Sequence, residues 1–216
     1  MDMKSFEFLS GGENSIRRHL VKACWKNYVR FCIRCKSRKI YRVRRDRYRC
    51  SQCGYEFSDL TGRWINKVKL PLREWLRLVK LFELEISARK ASQQSGISYP
   101  TVHKAFHLIR QSITAHSGNG DSFPDGEIEA KETYFENRCD YKQFTADDGR
   151  RFSQSDVHIN GMDGFWSYAK ERMNKFHGVS KEKFPLYLKE MEFRYNHRHE
   201  PIFNTLVRYL CDLTSP

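Results

Sequence analysis

Four cysteines are spaced for metal chemistry. Cys32-Ile33-Arg34-Cys35 and Cys50-Ser51-Gln52-Cys53-Gly54 are two CxxC pairs separated by fourteen residues. Two tight turns of this kind bring four thiolates to the corners of a tetrahedron, which is the donor set of structural zinc. Such a closed site leaves no coordination position for water or substrate, so the predicted Zn(2+) is structural and not catalytic. A dithiol redox pair is the rival, and the second matching CxxC and the absence of a βαβ pattern count against it. Cys24, Cys139 and Cys211 have no matching partners and read as ordinary thiols.

The elements that hold the cysteines follow from the residues between them. Lys39 to Arg44 and Arg47 to Arg49 alternate like the arms of a hairpin turning at Arg45-Asp46. So short a piece has little core of its own, and metal binding supplies its folding free energy. The hairpin is also the most charged part of the chain. Eleven Lys and Arg lie between Lys26 and Arg49 against Asp46 alone, with Tyr28, Phe31, Tyr41 and Tyr48 interleaved. Arg42, Arg44, Arg45 and Arg47 are therefore read as phosphate-contacting residues.

From Lys69 the apolar period changes to about 3.6 residues. Leu72, Trp75, Leu76, Val79 and Phe82 line one face of a helix that Pro71 can begin. A second helix is expected over residues 88–94, broken by Gly96, and a third follows with Ser98 as N-cap and Pro100 in its first turn. Val102, Ala105, Phe106 and Ile109 point inward on it, while Thr101, His103, Lys104, His107 and Arg110 point out, a composition suited to a major groove. His103 and His107 are spaced to share a metal, but no Glu or Cys joins them, so groove contact is the reading. The three helices read as a helix-turn-helix.

Composition bounds the rest. The chain has 216 residues, 39% hydrophobic and 30% charged, with a net charge of +13, enough for two or three small modules. No apolar run is long enough for a membrane span, and the opening residues lack the order of a signal peptide. The expected location is cytoplasmic, associated with the nucleoid, with no membrane partner.

Longer stretches carry a resemblance. They are residues 50–62 from Cys50 to Gly62, Leu70 to Leu76, Ser95 to Val102, His158-Ile159-Asn160-Gly161-Met162-Asp163-Gly164-Phe165-Trp166-Ser167, Lys175 to Gly178, and Arg194-Tyr195-Asn196-His197-Arg198. Together they resemble bacterial and archaeal insertion-sequence transposases with an N-terminal zinc ribbon, a helix-turn-helix and a DDE catalytic domain of RNase H-like fold. The resemblance implies DNA transposition, with recognition of double-stranded DNA at the terminal repeats of the element. It also implies a site in which three acidic or amide side chains hold two divalent ions, Mg(2+) in this family, for phosphoryl transfer.

That site reads as incomplete. In Glu127-Ile128-Glu129-Ala130-Lys131-Glu132 the resemblance puts the first Asp at position 131, where the chain has Lys131. Glu129 shares its strand face but lies about 6.6 Å along the strand, too far to replace a ligand. The second Asp has no counterpart, because residues 137–155 show almost no apolar period. The third maps to Asp163, with Asn160 as the amide alternative, near the start of a helix running through Trp166, Ala169 and Met173. Lys170 on that helix would contact substrate DNA. After Gly178 two more helices follow, the first capped by Ser180, with Phe184, Leu186, Leu188, Met191 and Phe193 partly buried.

The expected fold is α+β, mainly α: a zinc-ribbon hairpin, a helix-turn-helix bundle, and an incomplete RNase H-like domain reduced to one strand plus C-terminal helices by an internal deletion. The expected domains are 1–28, an N-terminal helical segment; 29–66, the zinc ribbon; 67–116, the helix-turn-helix; and 117–216, the truncated DDE domain. The terminal helices, deprived of their sheet, should expose apolar faces, which implies a homo-oligomer or association with full-length transposase. The expected function is a DNA-binding transposase with a defective catalytic site, and the alternative is a non-enzymatic DNA-binding regulator, either a transposition repressor or a domesticated transcription factor.

Overall fold

The computed structural model describes residues 2–44, 46–117, 165, 168, 169, 171, 172 and 179–214. Among the described residues the chain is mainly helical with one small sheet, an α+β arrangement. It divides into two compact units, one formed by residues 1–112 and 199–216 and the other by residues 113–198.

The first unit opens with two short helices. In α1 (Met3–Ser10) the side chain of Asp2 accepts the Ser5 N–H at 2.7 Å, and Phe6 and Leu9 face inward. Helix α2 (Glu13–Cys24) buries Ile16, Leu20 and Cys24, spaced at i, i+4 and i+8 on one stripe. Trp25, 1% exposed, ends it.

The ribbon follows as a three-stranded antiparallel sheet in the order β1 (Ile40–Arg44), β2 (Arg47–Cys50), β3 (Glu56–Phe57). The sequence suggested only the hairpin, because a two-residue strand is too short to carry an alternation signal. Ile40 pairs with Cys50, Tyr41 with Arg49 and Arg42 with Tyr48, and then a bulge shifts the register so that Arg44 pairs with Arg47. Cross-strand partners share a face. Tyr48 and its β3 partner Phe57 form the inner face: their rings lie 6.0 Å apart, and Phe57 reaches the Trp25 ring at 6.4 Å.

Three helices then pack as the 3.6-residue period implied. Helix α3 (Leu72–Glu83) starts after Pro71 and buries Trp75, Leu76, Leu78, Val79 and Phe82. Helix α4 (Ala88–Ser95) begins at Ser87, whose side chain accepts the Lys90 N–H, and ends at Gly96 with φ 72°, a left-handed position that suits glycine. Helix α5 (Tyr99–His116) buries Val102, Ala105, Phe106 and Ile109, and the Phe106 ring meets Phe82 edge-on at 5.2 Å.

In the second unit α6 runs from Phe184 to Asn196. The Ser180 carbonyl accepts the Lys183 and Phe184 N–H groups, so Ser180 introduces a 3-10 turn (Lys181–Lys183), and α6 starts beyond it with Pro185 in its first turn. Leu188 and Met191 pack with Phe165 and Ala169, and the Tyr195 ring lies 5.5 Å from Phe165 and 5.6 Å from Tyr168.

The last helix, α7 (Phe203–Cys211), overturns one expectation. Its apolar residues Phe203, Leu206, Val207 and Leu210 are at most 2% exposed, packed against α2, α3 and a 3-10 turn at Trp64–Lys67 of the first unit. The two terminal helices thus part company instead of sharing one domain over 117–216. Among the described residues α7 does not present the bare apolar face expected of a helix that has lost a sheet, because it finds its partner surface in the N-terminal unit.

Candidate metal centre and nucleic-acid interface

The four ligand thiols sit on two matching knuckles. In the first, the Lys36 N–H donates to the Cys32 carbonyl at 2.8 Å and Lys36 has φ 60°; in the second, the Gly54 N–H donates to the Cys50 carbonyl at 3.0 Å and Gly54 has φ 69°. The residue after each CxxC turns the chain back, and this aims both sulfurs of a pair at the facing pair. Cys32 Sγ lies 3.5 Å from Cys53 Sγ, Cys35 Sγ lies 3.5 Å from Cys50 Sγ, and all four fall within 4.8 Å of one another. A regular tetrahedron around zinc, with Zn–S of about 2.3 Å, has S–S edges of about 3.8 Å, so the donor set fits.

The backbone prepares the thiolates. The N–H groups of Cys53 and then Gln52 act on Cys50, the latter at 3.3 Å from its Sγ, and hold the Cys50 thiol down at about 6. Cys35 feels the backbone at Ser37 in the same sense, yet burial and the three neighbouring thiols push it up to about 12. Cys50 thus ionises readily while Cys35 holds its proton, and a divalent cation that binds the site displaces that proton. Among the described residues this is the one group of His, Cys, Asp or Glu side chains with metal-holding geometry.

A buried polar network ties the end of α2 to the segment that follows β3. Asp59 is 6% exposed, and its Oδ1 accepts the Trp25 indole N–H at 2.7 Å and the Arg30 Nε–H at 2.7 Å, while Oδ2 accepts from Arg30 Nη2 at 3.2 Å. The carboxylate raises the Arg30 pKa through that hydrogen bond, against the opposing effect of burial. Arg63, 3% exposed, donates from Nε to the Asp59 carbonyl at 2.7 Å and from Nη1 to the Cys211 carbonyl, with its guanidinium 4.5 Å over the Trp25 ring. The Thr214 N–H then donates to the Gly62 carbonyl at 2.9 Å. These contacts fasten the end of the chain to the base of the ribbon. Sequence reasoning missed them, since no spacing signal links residues 148 positions apart.

The basic side chains sort by face. Arg44 and Arg47 are paired and exposed on the outer face with Arg49 and Tyr41, and Tyr41 is 50% exposed. Glu56 partly offsets them, 3.2 Å from Arg49 and 3.6 Å from Arg44, contacts worth little at an exposed site. Arg42 is exposed but opposes Tyr48, so the bulge separates it from Arg44 and Arg47. Arg45 lies outside the described residues.

On α5, Lys104 is exposed, and Thr101, His103 and His107 are half-buried. Thr101 Oγ1 lies 2.8 Å from Ser98 Oγ, and the His103 ring is 5.8 Å from the ring of Tyr99. Tyr99 is 48% exposed and joins this face, a residue the helical period left unassigned. Arg110 corrects an expectation: it is 5% exposed, with its guanidinium 5.4 Å over the Phe82 ring, because its long stem can lie along the apolar seam between α3 and α5. Lys131, Asn160, Asp163 and Lys170 lie outside the described residues.

Comparison with known proteins follows the same division. Residues 11–56 match the transposase zinc-ribbon domain, a range that takes in α2 as well as the sheet, and residues 136–196 match the ISXO2-like transposase domain. Residues 127–135 fall outside both ranges. An uncharacterized transposase-like protein of Haemophilus influenzae is 40% identical over 57 residues, 26% of this chain and 46% of that protein. An uncharacterized protein in transposable element ISH50 of Halobacterium salinarum is 28% identical over 102 residues, 44% of this chain and 34% of that protein. The chain thus matches less than half the length of either curated relative. No solved structure matches. The chain carries the two domain signatures of an insertion-sequence transposase, a zinc ribbon followed by an ISXO2-like transposase domain.

Proposed function

We propose that this chain is a transposase of an insertion sequence that binds double-stranded DNA at the ends of its element and does not itself cut strands. The observation that carries the binding half is the outer face of the ribbon. Arg44, Arg47 and Arg49 stand exposed there beside a four-thiolate centre, within a range matching a transposase zinc ribbon. Zinc fixes the hairpin, the hairpin presents the cations, and α5 offers Thr101, His103, Lys104 and His107 as the second contact surface. Arg45 and Lys170 belong to the same reading on sequence grounds.

The catalytic half rests on Lys131. Phosphoryl transfer by two Mg(2+) ions needs carboxylates that converge on them, and an ammonium at the first ligand position repels a cation. Asp163 or Asn160 would then be a vestige, with no partners to close the site. Lys131 also favours a second reading, in which the chain is a non-enzymatic regulator that occupies element ends or host promoters, as a homo-oligomer or beside full-length transposase.

Two measurements test this. Gel shifts on terminal-repeat DNA against promoter DNA of the same length, over a range of salt, separate end recognition from regulation elsewhere. Incubation with terminal-repeat DNA and Mg(2+) or Mn(2+) should give no cleavage. Cleavage that disappears in Asp163→Ala would overturn the inactive reading.

A further inference from the structure

Among the described residues, five non-glycine residues have left-handed backbone: Asn27, Tyr28, Lys36, Asp46 and Glu85. Four of them have local reasons. Asn27 and Asp46 are types that tolerate this region. Lys36 is the turning residue of the first zinc knuckle. Glu85 closes α3, donating to the Phe82 carbonyl at 3.0 Å while the Ile86 N–H reaches the Leu81 carbonyl at 3.0 Å.

Tyr28 has none. With φ 60° it follows Asn27 directly, in the turn that joins Trp25 to the ribbon. Glycine would make that turn without strain. Nor does packing hold the side chain: Tyr28 is 54% exposed and Val29 beside it 47% exposed. The four aromatics interleaved with the basic run divide accordingly. The Phe31 ring lies 5.2 Å from Trp25, and Tyr48 sits between Phe57 and the Arg30 guanidinium, which is 4.8 Å from its ring. Tyr28 and Tyr41 face solvent.

An exposed aromatic in a strained turn, held by no packing of its own, is a place to look for a contact outside the chain. Charge chooses the partner: between Cys24 and Arg45 there is no Asp or Glu, and Lys26 is exposed two residues from Tyr28. We propose that Tyr28 is a contact residue for double-stranded DNA, supplying an apolar, ring-mediated contact beside the phosphate contacts of the ribbon. This rests on the DNA-binding reading above and adds to it a residue whose contribution is not electrostatic.

The test uses the full zinc-loaded chain and a duplex bearing the terminal repeat, with affinity measured across a salt series. Tyr28→Gly should raise the thermal midpoint by relieving the backbone, yet weaken DNA binding roughly tenfold at every salt concentration, leaving the slope of log affinity against log salt unchanged. Tyr28→Phe should retain wild-type affinity. Arg44→Ala, in contrast, should lower the slope. If Tyr28→Gly binds as tightly as wild type, or lowers the midpoint, the Tyr28 inference is overturned while the DNA-binding reading stands. If the wild-type chain binds no duplex at low salt, both fall.

Discussion

The indole N–H of Trp25 donates to Asp59 Oδ1 across 2.7 Å, in a site where the tryptophan is 1% exposed and the aspartate 6%. That contact joins the end of α2 to the loop that follows β3. Because Arg30 shares the same oxygen and Arg63 stacks on the same ring, the pair anchors the ribbon to the helices.

Asp59→Ala should therefore destabilise the first unit by about 2–4 kcal/mol, since it leaves the Arg30 cation and the Trp25 donor without their acceptor. Asp59→Asn, which keeps an acceptor for Trp25, should cost less. Denaturant unfolding of the zinc-loaded protein, followed by tryptophan fluorescence, measures both, and equal stability in all three proteins would refute the anchor.

Zinc content should be about one ion per chain, fixed by Cys32, Cys35, Cys50 and Cys53. Cys32→Ser or chelation should release the metal and unfold β1 to β3, while α3 to α5 keep their helical signal. Metal analysis with circular dichroism gives the readout. A ribbon that stays folded and protected from hydrogen exchange without metal would contradict a folding role for zinc.

Helix α7 should be indispensable to the N-terminal unit. Phe203 is fully buried, its ring 5.7 Å from Phe6, and its N–H donates to Glu83 Oε1 at 2.9 Å. Phe203→Ala should cost about 3–5 kcal/mol. Deletion of residues 199–216 should leave a fragment that unfolds at lower denaturant and recovers when a peptide of those residues is added. A fragment as stable as the whole chain would sink this prediction.

Acid should weaken the same packing through His19, whose ring lies 6.3 Å from that of Phe203. Burial first, and Lys22 second, hold the His19 pKa below its ordinary 6.5. The unfolded chain then binds more protons than the folded one as pH drops through 6.5, so the contribution is intact above that value and is lost below it. His19→Gln should flatten the fall in thermal midpoint between about pH 7 and pH 5.5. A wild-type and variant pair with parallel pH profiles would rule out this coupling.

Removing Arg44 and Arg47 together should reduce the salt slope of DNA binding by about 0.9 for each lost phosphate contact, with similar losses on specific and mixed-sequence duplexes. Lys104→Ala or His103→Ala should discriminate more between sequences if α5 lies in the major groove. Fluorescence anisotropy over a salt series separates the two classes.

Local rules fix much of this protein from sequence. The CxxC spacing specifies four converging thiols, because a knuckle needs only a short turn and one left-handed residue. The period of apolar residues specifies α3 and α5, because burial on one helix face repeats every 3.6 residues. Ser87 and Gly96 mark the ends of α4, because their side-chain and backbone preferences act within one turn.

Tertiary structure alone settles which faces those elements share. The bulge that turns Arg44 away from Arg42, the burial of Arg110 over Phe82 and the exposure of Tyr28 all depend on where a neighbouring element lies. The return of α7 to the N-terminal unit is the largest such case. Its apolar stripe is plain in the sequence, but a stripe states only that a partner surface is required. Which surface meets that need is decided when α2, α3 and Arg63 are assembled, at separations along the chain over which no periodicity carries information.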